Sequence, residues 1–460
     1  MNSVHITQDT RLRGRRVLVV GLGLSGVSAL RFLRRADAQV TVTDSRAAPA
    51  GIEALRAAFP DVSFQLGAFA APEPLNQFDM AVVSPGVDLQ EPFVQGLAAA
   101  GVPLIGDVEL FARALAALPQ PPKVIGITGS NGKSTVTTLV GAMARAAGWR
   151  VAVGGNLGTP ALDLLAEDIE LYVLELSSFQ LETTRHLACD AAAYLNLSED
   201  HLDRHGTMAR YGAIKARIFE GAQVAVVNRD DAAVMAAAAQ VPATTRVVSF
   251  GLDGADPGHF GVGMEGGELW LCRGSMPLLT QAQLRIAGLH NAANALAALA
   301  LAGAVGVPEQ HALQALATFE GLPHRCRLVR ELNGVRYIND SKGTNVGSTL
   351  AAIRGLPAPI HWLGGGQGKG QDFSPLAPAL RDRSGAAYVF GEDAGRLAEA
   401  LAGAVPVTLT TDMDEALAAA HSAATPGGTV LLSPACASLD QFRNYIERGE
   451  CFERAVEALA

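Results

Sequence analysis

The chain is 460 residues long and poor in cysteine, in aromatic residues and in charge. Its five cysteines, Cys189, Cys272, Cys326, Cys436 and Cys451, form no C-x-x-C pair. That excludes a paired-thiol metal or redox motif and predicts reduced thiols in a cytoplasm. Aromatics make up only 5% of the chain, while alanine and glycine are abundant, a composition suited to tightly packed α/β layers. Charged residues are 18% and the net charge is −9, so there is no basic face for nucleic acid. Anionic substrates must then be held by local positive sites. Long apolar runs are also missing. The richest Ala/Leu stretch, Ala295 to Val307, carries Gly303 and Gly306 and is too short to span a bilayer. The basic cluster Arg11 to Arg16 has no apolar run behind it and reads as a solvated start, not a targeting signal. With 49% hydrophobic residues the chain is globular, and its length predicts two to four domains.

The most informative stretch is Gly126-Ile127-Thr128-Gly129-Ser130-Asn131-Gly132-Lys133-Ser134-Thr135. It lies between a short apolar strand and a helical segment, in the order expected of a phosphate loop. Its glycines let successive N–H groups converge on one anion, and the following helix adds its positive end. Lys133 is placed to reach the β- and γ-phosphates, and the Ser134 hydroxyl to ligate Mg²⁺. A nucleoside triphosphate site is therefore predicted.

A second glycine pattern opens the chain. The strand Arg16 to Val20 leads into Gly21-Leu22-Gly23-Leu24-Ser25-Gly26, and a second strand ends at Asp44. A G-x-G-x-x-G with an acid about 20 residues on is the dinucleotide fingerprint and, alone, suggests an NAD-dependent dehydrogenase. The glycines only make room for a diphosphate, however, and do not specify its nucleotide. Another strand closes at Ser84-Pro85-Gly86, a strand-end turn of the kind that binds ligands in open sheets or simply reverses the chain.

Downstream, Asn156 is exposed on a turn. Glu175 ends an apolar strand and is the expected second Mg²⁺ anchor after a phosphate loop. The segment Ser198 to His205 packs His201, His205 and three acids into one strand end, able to hold a metal or position a carboxylate. Lys215 reads as an exposed helix lysine. Residues 246–280 form short glycine-rich β-like pieces with no visible chemistry. Asn291 and Asn294 share a face at a helix start, where they would cap the helix or read an adenine edge. From about Leu322 onward strands and helices alternate again, with polar strand ends at 340–345, 364–370 and 433–442. Cys436 has no base beside it and reads as a small buried residue.

Together these segments resemble the Mur ligase family. The carrying motifs are Gly-Ser-Asn-Gly-Lys-Ser-Thr at 129–135, Glu-Leu-Ser-Ser-Phe-Gln-Leu at 175–181, Asp-His-Leu-Asp-Arg-His at 200–205 and His-Asn-Ala-Ala-Asn-Ala at 290–295. Leu-Pro-His-Arg at 322–325 and Asn-Asp-Ser-Lys-Gly-Thr-Asn at 339–345 belong with them. The two ends of the chain are most similar to the branch that adds D-glutamate to UDP-N-acetylmuramoyl-L-alanine. The resemblance implies three α/β domains: a Rossmann-like unit at 1–106 for the UDP substrate, a central P-loop ATPase-type unit at 107–321 and a Rossmann-like amino-acid unit at 322–460. It implies an ATP-dependent amide ligase of peptidoglycan synthesis with two Mg²⁺ ions, acting as a monomer in the cytoplasm. The L-alanine- and folylpolyglutamate-type ligases are the alternatives within this class.

Carried over by position, Gly129 to Thr135 hold the triphosphate, Ser134 and Glu175 hold one Mg²⁺, and His201 and Lys215 the second. In this family the lysine at the position of Lys215 bears a carbamate. Asn291, Asn294, Arg325 and Asp340 contact ATP. Lys342, Thr344, Lys369, Ser438, Leu439 and Tyr445 hold D-glutamate. Ser25, Asp44, Ser45, Ser84, Pro85 and Gly86 hold the uridine diphosphate, and Asn156 lies near the acyl group. Two departures stand out: the 364–370 loop is one residue longer than the family pattern, and Tyr445 stands where the pattern has Phe.

Overall fold

The computed structural model describes residues 10–286 and 288–460. Among the described residues three sheets follow one another along the chain. The first holds five parallel strands, in spatial order Ser63–Leu66, Gln39–Asp44, Arg16–Val20, Met80–Val83 and Leu104–Ile105. Strand Arg16–Val20 sits at its centre with four of five residues buried, as an apolar run covered on both faces must. The chain reverses direction across the sheet after strand Ser63–Leu66, so the carboxyl ends of Arg16–Val20 and Met80–Val83 flank the switch point where such sheets bind ligands. Gly26 allows the following helix, Leu24–Arg35, to press onto this strand. A Cβ there would lie 1.9 Å from the Gly21 carbonyl oxygen.

The second sheet has nine strands. Its parallel part runs Arg246–Phe250, Val224–Asn228, Ala191–Tyr194, Lys123–Thr128, Leu171–Glu175 and Val151–Gly155. Strands Phe260–Glu265, Glu268–Arg273 and Met276–Thr280, antiparallel to one another, extend the edge beside Arg246–Phe250, and with it account for the β-like pieces read at 246–280. Helices Lys133–Ala146 and Leu289–Val305 pack on this sheet. The second is apolar nearly all round and is correspondingly buried in the core.

The third sheet orders Arg327–Leu332, Val335–Asn339, Thr429–Leu432, Ile360–Gly365, Ala386–Phe390 and Val407–Leu409, parallel except for the first pair. The fold is thus α/β throughout, with Rossmann-like units at both ends of a P-loop-type centre. Among the described residues no helix is long and apolar enough to cross a membrane. The carboxyl ends of strands from the second and third sheets converge on the phosphate loop, where side chains from both units meet.

Candidate active site

The phosphate loop joins strand Lys123–Thr128 to helix Lys133–Ala146. Gly129 and Gly132 have φ of 155° and 82°, conformations only glycine adopts without strain. The Lys133 ammonium turns back over its own loop, donating to the Gly129 and Ser130 carbonyls at 2.8 and 2.9 Å. Loss of hydration lowers its pKa, while the Glu175 carboxylate opposes that shift. Ser130 ties the loop to the neighbouring strand end: its Oγ donates to the Ser198 carbonyl and accepts from the Ser198 N–H, both at 3.0 Å. Asn131 is held the same way by the Asn196 side chain, at 2.8 and 3.0 Å. Thr135 lies buried one turn into the helix and lines the adjoining cavity.

Glu175 is the hub. One carboxylate oxygen accepts from Ser134 Oγ at 2.5 Å and the other from Asn156 Nδ2 at 2.7 Å. Arg325, from the third unit, donates to the same Ser134 hydroxyl at 2.7 Å. A continuous chain, Asn156–Glu175–Ser134–Arg325, therefore links four separate segments, three from the second unit and one from the third.

Lys215 corrects the reading of an exposed helix lysine. It is 1% exposed, donates to the Gly129 carbonyl at 2.8 Å, and lies 4.7 Å from the centre of the Tyr211 ring. The helix Met208–Ala216 turns this position inward. Burial, reinforced by the nearby Lys133 charge, lowers its pKa well below the ordinary lysine value. His201 adopts a left-handed conformation (φ 55°), with its Nε2 3.5 Å from Asp200. Burial lowers its pKa, against the pull of Asp200. His205 is committed to structure: it is buried, bonds Ser178 Oγ at 2.9 Å and stacks on Tyr211. Burial, then the neighbouring His201, brings its pKa to about 4. The dense cluster thus divides, with His201 facing the lysines and His205 packed behind.

A cavity of about 340 Å³ opens beside the loop. Its wall includes Asn291, Asn294, Arg325 and Asp340, the residues the resemblance assigns to ATP, with Gly132 and Thr135 of the loop, and also Lys342, which the resemblance assigns to D-glutamate. The two asparagines do not cap their helix; Gly288 occupies the N-cap, and Asn294 Nδ2 donates to Asn291 Oδ1 at 3.1 Å. Phe250 and Leu252 also line the cavity, so the 246–280 segment does contribute to it, contrary to the sequence reading. Burial raises the Asp340 pKa to about 6, partly offset by a 2.7 Å bond from Ser433 Oγ.

A second cleft, about 630 Å³, lies between the first and second units. Ser25, Asp44, Ser45, Ser84, Pro85 and Gly86 line it from one side and Asn156 and Gln180 from the other. Burial would raise the Asp44 pKa, but hydrogen bonds from Arg46 and the Leu22 N–H outweigh it and hold the carboxylate at about 2. Sequence reasoning missed Arg46 and Gln180. Arg46, two residues beyond a strand-end acid, was the more visible of the two.

The D-glutamate candidates lie mostly outside the cavity, on strand-end loops of the third sheet. Lys342 Nζ sits 4.0 Å over the Tyr445 ring. Thr344 N–H donates to the Lys342 carbonyl at 2.8 Å in the same loop. The longer glycine loop is accommodated with Lys369 at φ 49°, and Gln367 pairs with Ala437, bringing that loop beside buried Ser438 and exposed Leu439. Buried Arg448 bonds carbonyls of Ser341 and Cys436 and so ties these loops together. Cys436 is fully buried, as read.

Fold and site define a three-unit α/β protein with a phosphate loop whose key serine is contacted from the third unit. Family models agree. The Mur ligase MurD-like N-terminal domain matches residues 15–106, the Mur ligase middle domain 127–302 and the Mur ligase glutamate ligase domain 324–436. The UDP-N-acetylmuramoylalanine–D-glutamate ligase of Methylobacillus flagellatus is 49% identical over 451 residues, covering 98% of each chain. That of Pseudomonas aeruginosa is 51% identical over 447 residues, covering 96% of this chain and 98% of its own. Among solved structures, a Thermotoga maritima MurF ligase in complex with ADP superposes with a TM-score of 0.59 at 18% identity over the whole of both chains. A Methanothermus fervidus pseudomurein peptide ligase gives 0.59 at 17%, covering 96% of this chain and 99% of its own. The chain belongs to the Mur ligase family, and it is an enzyme.

Proposed function

We propose that the enzyme joins D-glutamate to UDP-N-acetylmuramoyl-L-alanine with cleavage of ATP to ADP and phosphate, a step of peptidoglycan precursor synthesis. The observation that carries this reading is the Asn156–Glu175–Ser134–Arg325 chain, which runs from the 630 Å³ cleft to the phosphate loop and on to the third unit. Residues 1–106 hold the UDP substrate, 107–321 the ATP and 322–460 the amino acid. The dehydrogenase alternative is disfavoured because a second nucleotide loop, Gly129 to Thr135, lies downstream of the N-terminal glycines, and Arg325 of the third unit contacts its serine. The enzyme works in the cytoplasm, as a monomer expected to elute as such on gel filtration.

A carboxylate is a poor acyl donor, so its oxygen first attacks the γ-phosphorus and ADP leaves. The free amine of D-glutamate then attacks the acyl carbon to give a tetrahedral intermediate, its acyl C–O bond to phosphate breaks, and the proton lost from nitrogen passes to the departing phosphate or to water. Lys133 swings from its loop carbonyls to the phosphates, and Arg325 and Lys342 offset the charge that builds on the phosphoryl and acyl oxygens. Asn156 orients the acyl carboxylate beside Glu175. Asn291, Asn294 and Asp340 hold the nucleoside, and Lys342, Thr344, Lys369, Ser438, Leu439 and Tyr445 hold D-glutamate, Lys342 by its carboxylate.

The acid and hydroxyl of Glu175 and Ser134 suit an oxygen-seeking cation. The amine of Lys215 does not, but its carbamate would, beside His201. Two Mg²⁺ ions held there would neutralise phosphoryl charge. The buried, proton-poor amine attacks CO₂ at carbon and releases one proton, giving an anionic oxygen donor.

The deciding experiment is phosphate release from ATP and Mg²⁺, with UDP-N-acetylmuramoyl-L-alanine, with and without D-glutamate and with other amino acids in parallel. Release requiring both substrates and favouring D-glutamate is expected. Preference for another amino acid would move the enzyme to a sister ligase, and no release in any combination would overturn the reading.

Lys342 adds a pH signature. Burial, then the Arg325 charge, lowers its pKa to about 8. The ammonium that attracts the D-glutamate carboxylate is present below that pH and lost above it. The value of kcat/KM for D-glutamate is therefore expected to fall about tenfold per pH unit above pH ~8. In Lys342→Arg this limb should vanish. A limb that persists unchanged in Lys342→Arg would assign it to another group.

A further inference from the structure

Helix Val346–Gly355 of the third unit points its first turn at the phosphate loop. Its N-cap, Asn345, is buried and divides its amide between two tasks. Its Oδ1 accepts from Ser348 N–H at 2.8 Å and closes the helix end. Its Nδ2 faces across the interface, 3.3 Å from Asn131 Oδ1 in the phosphate loop and 3.4 Å from an Asp200 carboxylate oxygen. Two residues on, Gly347 has an ordinary helical backbone, outside the left-handed region, so nothing in its conformation asks for glycine. Its surroundings do. A Cβ at 347 would lie 2.6 Å from Ser198 Oγ, 2.8 Å from Ser198 Cβ and 3.3 Å from Asn131 Nδ2.

Rotating the Ser198 side chain would clear the first contact but not the second, because Cβ moves only with the backbone. That backbone is tied at both its N–H and its carbonyl to Ser130 Oγ. The collision can therefore be relieved only by moving the helix away.

We propose that this first turn is the docking face on which the third unit closes over the phosphate loop. Asn345 is the latch on Asn131 and Asp200, and Gly347 is the clearance that lets the helix reach Ser198. Both are positioning residues. They act by bringing Arg325 to Ser134, and Lys342 to the same centre. The ligase reading is needed only for the activity readout, since compaction is independent of the substrate.

The test is a double-mutant cycle between Gly347→Ala and Ser198→Gly, read by kcat for phosphate release and by small-angle scattering of the full chain with a non-hydrolysable ATP analogue and Mg²⁺. Alanine is the better helix former, so Gly347→Ala is expected to fold. In the native background it should lower kcat about tenfold or more and leave the nucleotide-loaded chain more extended. In the Ser198→Gly background its effect should shrink to less than about threefold, with compaction restored. Asn345→Asp keeps the cap acceptor, so its melting temperature should stay within about 2 °C of native. It loses the donor and sets a carboxylate against Asp200, so it should also stay extended and slow. Equal effects of Gly347→Ala in both backgrounds, or a Gly347→Ala chain as compact as the native one, would overturn the proposal. If no amino acid supports phosphate release, the ligase reading fails while the scattering comparison still decides this one.

Discussion

Replacing Lys215 with alanine is expected to lower the rate of phosphate release by about 10³-fold or more, with the fold intact. The magnitude follows from the charge that a Mg²⁺ would contribute at a phosphoryl transfer site if the carbamate proposed at Lys215 held it, several kcal/mol of transition-state stabilisation. The residue's setting accounts for the rest. A lysine 1% exposed, hydrogen-bonded to the Gly129 carbonyl and close enough to Lys133 to feel its charge, gains little by staying an ammonium. A neutral amine is the form that takes up CO₂. As a carbamate the same side chain becomes an anion, relieves the repulsion from Lys133 and offers oxygen donors. Two measurements separate this from a packing role. Native enzyme assayed in CO₂-depleted buffer should lose activity and regain it with bicarbonate. Lys215→Ala should be partly restored by bicarbonate or a short carboxylate such as formate, which fits the space and supplies the missing anion. Full activity in the unsupplemented variant would remove Lys215 from the site.

The second large effect is expected at Glu175. Glu175→Gln keeps the shape of the side chain but loses its charge, and a fall of about 10³-fold in kcat is expected. Both carboxylate oxygens accept hydrogen bonds, from Ser134 and from Asn156. An amide has one accepting oxygen, so if that oxygen stays with Asn156 the amide N–H faces Ser134 Oγ, and the hydrogen bond at the hub reverses direction and loses its charge. A Mg²⁺ titration distinguishes the proposed role from a purely positional one. If Glu175 anchors the ion, the concentration for half-maximal activity should rise steeply in Glu175→Gln. An unchanged Mg²⁺ dependence with reduced kcat would leave Glu175 as an orienting residue only.

The cationic and anionic groups at this centre explain why the two effects are comparable in size. Lys133 feels the charge of Arg325, Lys215 that of Lys133, and Lys342 those of Arg325 and Lys133, while Glu175 and Asp200 are the acids that oppose them. Removing one acid or one potential anion leaves a positive cluster in a partly dehydrated setting, where charges interact more strongly than in water.

Sequence alone determined the local units. The phosphate loop, the N-terminal glycine turn and the polar strand ends are legible because each depends on neighbours in the chain. A glycine at positive φ, an apolar strand and the helix after it lie within about twenty residues of one another, and backbone geometry does the rest. The α/β alternation was readable for the same reason, as was Asp44 at a strand end. Residues 246–280 failed the test because Phe250 and Leu252 acquire meaning only from the cavity they face. Tertiary structure decided what lies across the interfaces. Burial of Lys215, the reach of Arg325 to Ser134, the split between His201 and His205, and the fit of Gly347 against Ser198 all join segments separated by tens to hundreds of residues. No local pattern encodes such contacts, because each is set by how whole layers pack, and burial is a property of the packed layers and not of the residue.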